Sequence, residues 1–299
     1  MEKFRGPRRF EKHEQPHIAA LEVEAVVLDV IHGGYYADPH REHRNTTVAQ
    51  AIGVRRFTLL DGIPLEPVEI LERVTLARQV DRIVVMEQER LRRVKKLEVT
   101  LGCLPSGEKR LACYPVSQLE EDAFNTLMEE VKQEGRFDLV NSLDELKKIA
   151  RDKGLPEKLL VVPRLPISLD TLTDIARNNL HEAVRKIIVS NEPFYVEFFN
   201  IAEPINIRQH SLELIRGIGK KTVKQLVAER SRRPFTSFEE VKKVIKVDPL
   251  EGLVEKIVEE ITGESKYNLF IPPQDPGIPF FDYLSKMKKR AARAGGRYQ

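Results

Sequence analysis

One stretch constrains this chain more than any other: Leu212–Val244, which reads LELIRGIGKKTVKQLVAERSRRPFTSFEEVKKV. Leu212, Ile215 and Ile218 recur at helical spacing, and Val223, Leu226 and Val227 do so again after a break. Between the two runs stand Gly217-Ile218-Gly219 and then Lys220-Lys221. The pattern predicts two short helices joined by a tight Gly-Ile-Gly turn. Glycine lets the backbone reverse and lets an outside group come close. The unpaired N–H groups at the start of the second helix, aided by its dipole, favour an anion. Lys220, Lys221 and Lys224 add positive charge at that point, and Ile218 is expected to point inward and pin the turn.

This arrangement looks like a helix-hairpin-helix module, which binds nucleic acid without reading its sequence. A plain helical turn with a glycine stop and solvated lysines is the alternative. The downstream Pro234-Phe235-Thr236-Ser237-Phe238-Glu239-Glu240 favours the module, and Ser237 with Glu240 has the capping-box spacing that opens a further helix. Phe238–Ile261 has the length of a second helix–turn–helix copy. Its turn, Lys246-Val247-Asp248-Pro249, lacks glycine and carries an acid, so the second copy is expected to be structural.

Charge supports a polyanion partner through its distribution. The net value is only +3, from 49 Lys and Arg against 46 Asp and Glu. Yet Ile205–Lys246 holds eleven basic and four acidic residues, and Ser285–Gln299 holds six basic residues and no acid. Val247–Pro272 between them holds two lysines and six acids. Clustered positive charge is the footprint of a nucleic-acid binder. No apolar run approaches the roughly 20 residues needed to span a bilayer, and MEKFRGPRRFEKHE has no apolar core of a secretory signal. With two cysteines, these features predict a cytoplasmic protein with no membrane partner.

Ahead of the helical half, residues 1–20 read as a basic flexible arm. Residues 21–96 read as a small β-barrel of the OB or SH3-like kind, with strands at Val23–Ile31, Val48–Ile52, Arg56–Leu60, Arg73–Ala77 and Arg82–Glu87. Its loop, Gly33–Thr47, combines Tyr35 and Tyr36 with Arg41 and Arg44, which suits base stacking and phosphate contact. The tyrosines could equally close the end of the barrel. His32, His40 and His43 with Asp38 lack the spacing of a metal site, so neither metal nor cofactor is expected.

Residues 97–167 read as an inserted ββααβ unit: a hairpin about Pro105-Ser106-Gly107, capped helices opening at Ser117 and Ser142, and a strand at Leu159–Val162. A simple register sets Cys103 against Arg110 and Cys113 against Thr100, which leaves no disulfide. Residues 168–272 form the all-α helix-hairpin-helix domain, opening with a helix over Ser168–Ser190 and an aromatic helix containing Phe194, Tyr195, Phe198 and Phe199. Residues 273–299 read as an extended basic tail, of which Asp282–Gln299 starts as a helix. The whole is an α+β multidomain chain.

Val26-Val27-Leu28-Asp29, Gly34-Tyr35, Phe57-Thr58-Leu59-Leu60, Phe198-Phe199-Asn200, Arg208-Gln209-His210, Leu212–Lys221 and Phe235–Glu240 together carry a resemblance. The chain resembles an archaeal family, domain of unknown function six-five-five, over about Leu21–Lys96 and Ser168–Pro272. The resemblance implies an OB-like barrel joined to a helix-hairpin-helix domain. It also implies a gene neighbourhood of ribosomal components and an rRNA dimethyltransferase.

The expected function is therefore a non-catalytic RNA-binding protein, associated with rRNA, ribosomal particles or ribosomal proteins in assembly or translation. Phosphate would be gripped at Gly217, Ile218, Gly219, Lys220, Lys221 and Lys224, and the barrel would offer Tyr35, Tyr36, Arg41 and Arg44. Phosphate contacts position a complex without reading sequence. A DNA repair or replication accessory factor and a protein scaffold are the alternatives. The residues after the hairpin do not match a base-excision glycosylase, and no P-loop or Gly-x-Ser-x-Gly motif is present.

Overall fold

In this computed structural model the described residues are 24–38, 45–64, 66–78, 83–87, 101–106, 109–115, 121–140, 159–162 and 166–293, with the isolated residues 22, 43, 90, 93, 94, 145 and 148. Of the strands at 101–106, 109–115 and 159–162 the backbone alone is described. The basic arm and the last six residues lie outside this set, as do His40, Arg41 and Arg44 of the barrel loop.

The fold is mixed α+β. β1 (Glu24–Ile31), β2 (Val48–Gly53) and β3 (Leu59–Pro64) form an antiparallel meander. β4 (Arg73–Arg78) pairs antiparallel with the other side of β1. The circle closes through Leu159–Val162, which lies antiparallel to β3 and parallel to β4. This departs from the sequence expectation, which closed the barrel with Arg82–Glu87. Neighbouring segments usually pair, but a parallel pair cannot be joined by a tight turn and needs a long crossover. The chain between β4 and Leu159–Val162 is that crossover, and it carries a second sheet.

That sheet has the order β6-β7-β5-β8, from β5 (Ile83–Glu87), β6 (Leu101–Ser106), β7 (Lys109–Pro115) and β8 (Asp138–Val140). The barrel strand Leu159–Val162 is β9. Val84 and Met86 of β5 are buried with Leu127, Met128 and Val131 of α1 (Glu121–Glu134), a core separate from the barrel's. The inserted unit therefore begins before Ile83 and gives its last strand to the barrel. The hairpin pairs Cys103 with Ala112, two residues from the simple register, and a bulge in β6 sets Leu101 opposite Cys113, one residue from it. The helix expected to open at Ser142 falls outside the described residues.

β3 also starts later than its sequence suggests, because Gly53–Phe57 is a turn. The buried Glu22 carboxylate accepts the N–H groups of Arg55, Arg56 and Thr58 at 2.8, 2.8 and 3.3 Å. Burial outweighs those bonds and raises the Glu22 pKa.

Strand alternation explains how the barrel meets the helices. Ala25 and Val27 face the barrel interior with Ala49, Ala51, Leu60, Val74 and Leu76. Val26 and Leu28, on the opposite face, join the helical core with Ile52, Phe57 and Leu59. Against them lies α2 (Asp174–Ser190), whose Ala176, Leu180, Ala183, Val184, Ile187 and Ile188 are buried. Gln50 of β2 ties the layers by donating to Thr171 O and accepting from Thr173 N, both at 2.9 Å.

α3 (Glu192–Ile201), α4 (Lys220–Arg232), α5 (Phe238–Ile245) and α6 (Pro249–Thr262) complete the helical region. The segment after Thr262 is part of this fold. Leu269 and Phe270 are fully buried, and Glu260 of α6 accepts from the N–H groups of Leu269, Phe270 and Ile271. Burial pushes the Glu260 carboxyl up to about 7, against those bonds and Lys256. α7 (Tyr283–Arg293) buries Tyr283, Leu284, Met287 and Ala291, and the Tyr283 ring meets Phe198 edge-on at 5.0 Å. The helical start expected at Asp282 is thus a docked helix, whose apolar residues fall on one face. Among the described residues, no helix is long and apolar enough to cross a membrane.

Candidate nucleic-acid interface

The Gly-Ile-Gly turn forms as expected, but the element before it is shorter. Ser211–Leu214 makes one 3-10 turn, and Ile215 is already extended. Gly217 adopts φ 82°, the left-handed region where glycine alone is unstrained. Ile218 donates its N–H to Ile215 O at 3.1 Å and is buried at 4% exposure, so it pins the turn. Gly219 is the N-cap of α4, with open space beside its Cα.

The start of α4 is electrostatically bare. No side chain caps it and its first turn holds no acid. The first intrahelical bond is Val223 N–H to Gly219 O at 2.9 Å, which leaves the N–H groups of Lys220, Lys221 and Thr222 directed out of the helix end. Lys220, Lys221 and Lys224 are exposed and form no ion pair among the described residues. The structure thus gathers all six residues predicted for the hairpin at one turn.

Three further residues, Asn200, His210 and Arg230, tie together the elements around the hairpin. Asn200 at the end of α3 makes a two-way clamp: its Nδ2 donates to Phe235 O at 3.0 Å and its Oδ1 accepts from Phe235 N at 2.8 Å. His210 caps the Ser211–Leu214 turn, its Nδ1 accepting from Leu212 N at 3.1 Å while Glu213 accepts from His210 N at 2.9 Å. Burial, and then the charge of Arg230, lower the His210 pKa, which keeps Nδ1 unprotonated and able to accept. Arg230 of α4 donates to Phe199 O and Ala202 O at 2.9 and 2.8 Å. Arg208, by contrast, is exposed.

The second helix–turn–helix, α5–α6, packs directly on the first. A Cβ on Gly217 would stand 3.1 Å from a methyl of Val247, and one on Gly252 would stand 2.6 Å from Ile215 Cγ2. Each turn therefore sits over a glycine or small contact of the other. The α5–α6 turn is closed electrostatically: Asp248 accepts from Leu250 N at 3.0 Å, and Pro249 removes a donor. The Ser237–Glu240 box forms by half. Ser237 accepts from Glu240 N, but Glu240 turns to Thr236 N, and this bond lowers its pKa.

On the barrel the two tyrosines separate. The Tyr35 hydroxyl donates to Asp61 Oδ2 at 2.7 Å, so Tyr35 closes the barrel's end. Tyr36 is fully exposed at 107% and can stack on a partner. Arg41 and Arg44 lie outside the described residues. The loop is held by His43, whose Nδ1 lies 2.9 Å from Asp38 Oδ2 and 3.5 Å from Asp61 Oδ2. These three side chains are close enough to share a cation. Burial lowers the His43 pKa, but Asp61 and Asp38 outweigh it and raise it overall. His32, also weighed as a ligand, sits by Thr47 Oγ1 at 3.2 Å.

A cleft of about 400 Å³ lies between Glu213-Leu214 and Lys256, Ser265 and Tyr267. Ser265 Oγ donates to Tyr267 O and accepts from Lys256 Nζ, so its hydroxyl proton is committed to the backbone. The arrangement braces the end of α6.

A family model described as Protein of unknown function (DUF655) matches residues 21–272. The chain belongs to that family. The uncharacterised protein MJ0038 of Methanocaldococcus jannaschii is 32% identical to it over 121 residues, which are 40% of this chain and 55% of MJ0038. The chain thus spans about half the length of that curated relative. A crystal structure of Af1531 from Archaeoglobus fulgidus, assigned to DUF655, aligns with 84% of this chain and all of its own, at 24% identity and a TM-score of 0.48. The DUF655 match ends at Pro272, so α7 lies beyond it.

Proposed function

We propose that this DUF655 protein is a non-catalytic RNA-binding protein that acts on rRNA or ribosomal particles. It grips backbone phosphate through a helix-hairpin-helix at Gly217–Lys224 and uses an OB-like barrel as a second surface. One observation carries this reading: α4 begins with no side-chain cap and no acid in its first turn, behind an open glycine, with three exposed lysines around it. At α6, by contrast, the side chain of Asp248 satisfies one of these donors internally. Leaving them bare beside Lys220 and Lys221 suits a phosphate that arrives from outside. Lys288, Lys289 and Arg293 of α7 are exposed cations, and exposed Tyr36 gives the barrel an aromatic ring on which a base can stack. Preference for RNA over DNA rests on the ribosomal gene neighbourhood that the family resemblance implies.

The test is equilibrium binding of the full chain to rRNA fragments and to duplex DNA across a salt series. Lys220→Glu with Lys221→Glu is expected to weaken binding and to flatten the log–log salt slope by about one per lysine. The melting temperature is expected to hold, since both side chains are exposed. Tighter binding to duplex DNA would move the reading to a repair or replication factor. Unchanged affinity and slope would make the hairpin purely structural.

A further inference from the structure

The end of the barrel gathers metal-ligating side chains from two parts of the chain. Asp38 and His43 stand on the loop Gly33–Thr47, and Asp61 stands on β3. One ligating atom of each lies within 4.8 Å of the other two. Spacing along the sequence hides this set, because Asp61 is brought to the loop only by the closing of the barrel. All three side chains are withdrawn from solvent, at 7% exposure for Asp38 and 1% or less for His43 and Asp61.

Carboxylates gathered on a surface are ordinary. Here two of them converge on one ring nitrogen inside the fold, at 2.9 Å from Asp38 Oδ2 and 3.5 Å from Asp61 Oδ2 to His43 Nδ1. That nitrogen carries at most one proton. A proton aimed at Asp38 cannot also serve Asp61, whereas an ion among the three atoms serves both carboxylates at once. One imidazole with two carboxylates is a donor set that zinc accepts. Donors about 2.0–2.2 Å from a tetrahedral zinc stand about 3.3–3.5 Å from one another. The His43–Asp61 separation already has this value, and Asp38 has to retreat by about 0.5 Å to match it.

The ligands are also held from behind. The Tyr35 hydroxyl donates to Asp61 Oδ2 at 2.7 Å, the kind of outer hydrogen bond that orients a ligating carboxylate. Thr46 donates its N–H and its hydroxyl to His43 O, at 3.3 and 2.9 Å, and Asp38 N donates to Tyr35 O at 3.2 Å.

We infer that Asp38, His43 and Asp61 form a zinc site that fastens the loop Gly33–Thr47 to β3, with water in the remaining position. The ion would fix the loop that presents the exposed ring of Tyr36. This inference stands apart from the phosphate grip at α4 and does not depend on it.

The experiment uses the full chain, stripped with a chelator, dialysed, and titrated with zinc chloride by calorimetry and by thermal melting. Wild type is expected to take up one zinc ion and to melt at a higher temperature with it, since an ion that binds only the folded state stabilises it. Asp61→Asn and His43→Ala are each expected to weaken zinc binding by about tenfold or more and to remove the shift in melting temperature. Tyr35→Phe keeps every ligand and is expected to weaken zinc binding by about tenfold. X-ray absorption of the zinc-loaded wild type is expected to show one imidazole nitrogen among oxygens. No zinc uptake by wild type overturns the site. So does uptake that is as tight after both Asp61→Asn and His43→Ala, because the ion then lies on other groups of the chain. If those variants fail to fold, the wild-type spectrum decides: a shell of sulfur or of several imidazoles overturns the assignment.

Discussion

The two helix–turn–helix units of this chain share a backbone plan and differ in what they do with their exposed ends. Each reverses through one residue in the left-handed region, Gly217 at φ 82° and Lys246 at φ 60°. Each then starts a helix, α4 at Lys220 and α6 at Pro249. At α6 the first turn is finished internally: Asp248 caps it, Pro249 offers no donor, and Glu251 balances the dipole. At α4 the same positions hold Gly219, Lys220 and Thr222, and no side chain caps the end. One turn is sealed against the other and the remaining one is left open to an anion. Duplicating a backbone therefore fixes the geometry of a site, and three side-chain positions decide whether it can hold a ligand.

The largest expected effect comes from the contact that binds the two units together. Gly252→Val would drive a side chain into the space of Ile215 Cγ2, already 2.6 Å from a bare Cβ, and into the Arg216 carbonyl. Overpacking of this kind costs about 1–3 kcal/mol, to be read as a lower urea midpoint with an unchanged slope. No loss of stability would mean that the units are independent. Gly217→Ala comes next. Its left-handed backbone costs an L-residue about 1–2 kcal/mol, and the added Cβ meets Val247 at 3.1 Å. Val247→Ala should recover the steric part of that loss but not the backbone part. A double-mutant cycle separates the two. Full recovery would show that the glycine serves only packing.

The same contrast explains what could be read from the sequence. The open turn was legible because its chemistry is local: glycines, lysines and flanking apolar residues all lie within Leu212–Leu226. The second copy was legible for the same reason, down to its acid and its missing glycine. The α+β class was also visible from alternating strands followed by helical periodicity. The closure of the barrel was not. β9 joins β3 and β4 across some 80 residues, and no local pattern distinguishes Leu159–Val162 from a strand of the inserted sheet. Tyr35 was ambiguous because its partner, Asp61, lies 26 residues away on β3. Asn200 and Phe235 are likewise joined only by the fold, although Phe198-Phe199-Asn200 stood out as a motif.

The smallest expected effect discriminates best between a structural turn and a binding one. Gly219→Asp would give α4 the cap that α6 already has, and Asp248→Gly would remove the cap from α6. Exchanges between glycine and aspartate at an N-cap are worth only a few tenths of a kcal/mol (about 0.3). Gly219 has φ −99° and ψ 173°, a conformation open to any residue, and nothing lies within 4 Å of the new Cβ. Gly219→Asp should therefore raise stability slightly while it lowers RNA affinity. It would place a carboxylate on the donors that receive phosphate and set a like charge against the incoming strand. Asp248→Gly should lower stability slightly and leave affinity unchanged, because Lys246 and Val247 offer no open donor array at that turn. Opposite signs in stability and binding at Gly219, with no binding change at Asp248, are what an open first turn and a sealed second turn require. If Gly219→Asp gained stability at no cost in affinity, α4 would have been an uncapped helix and nothing more.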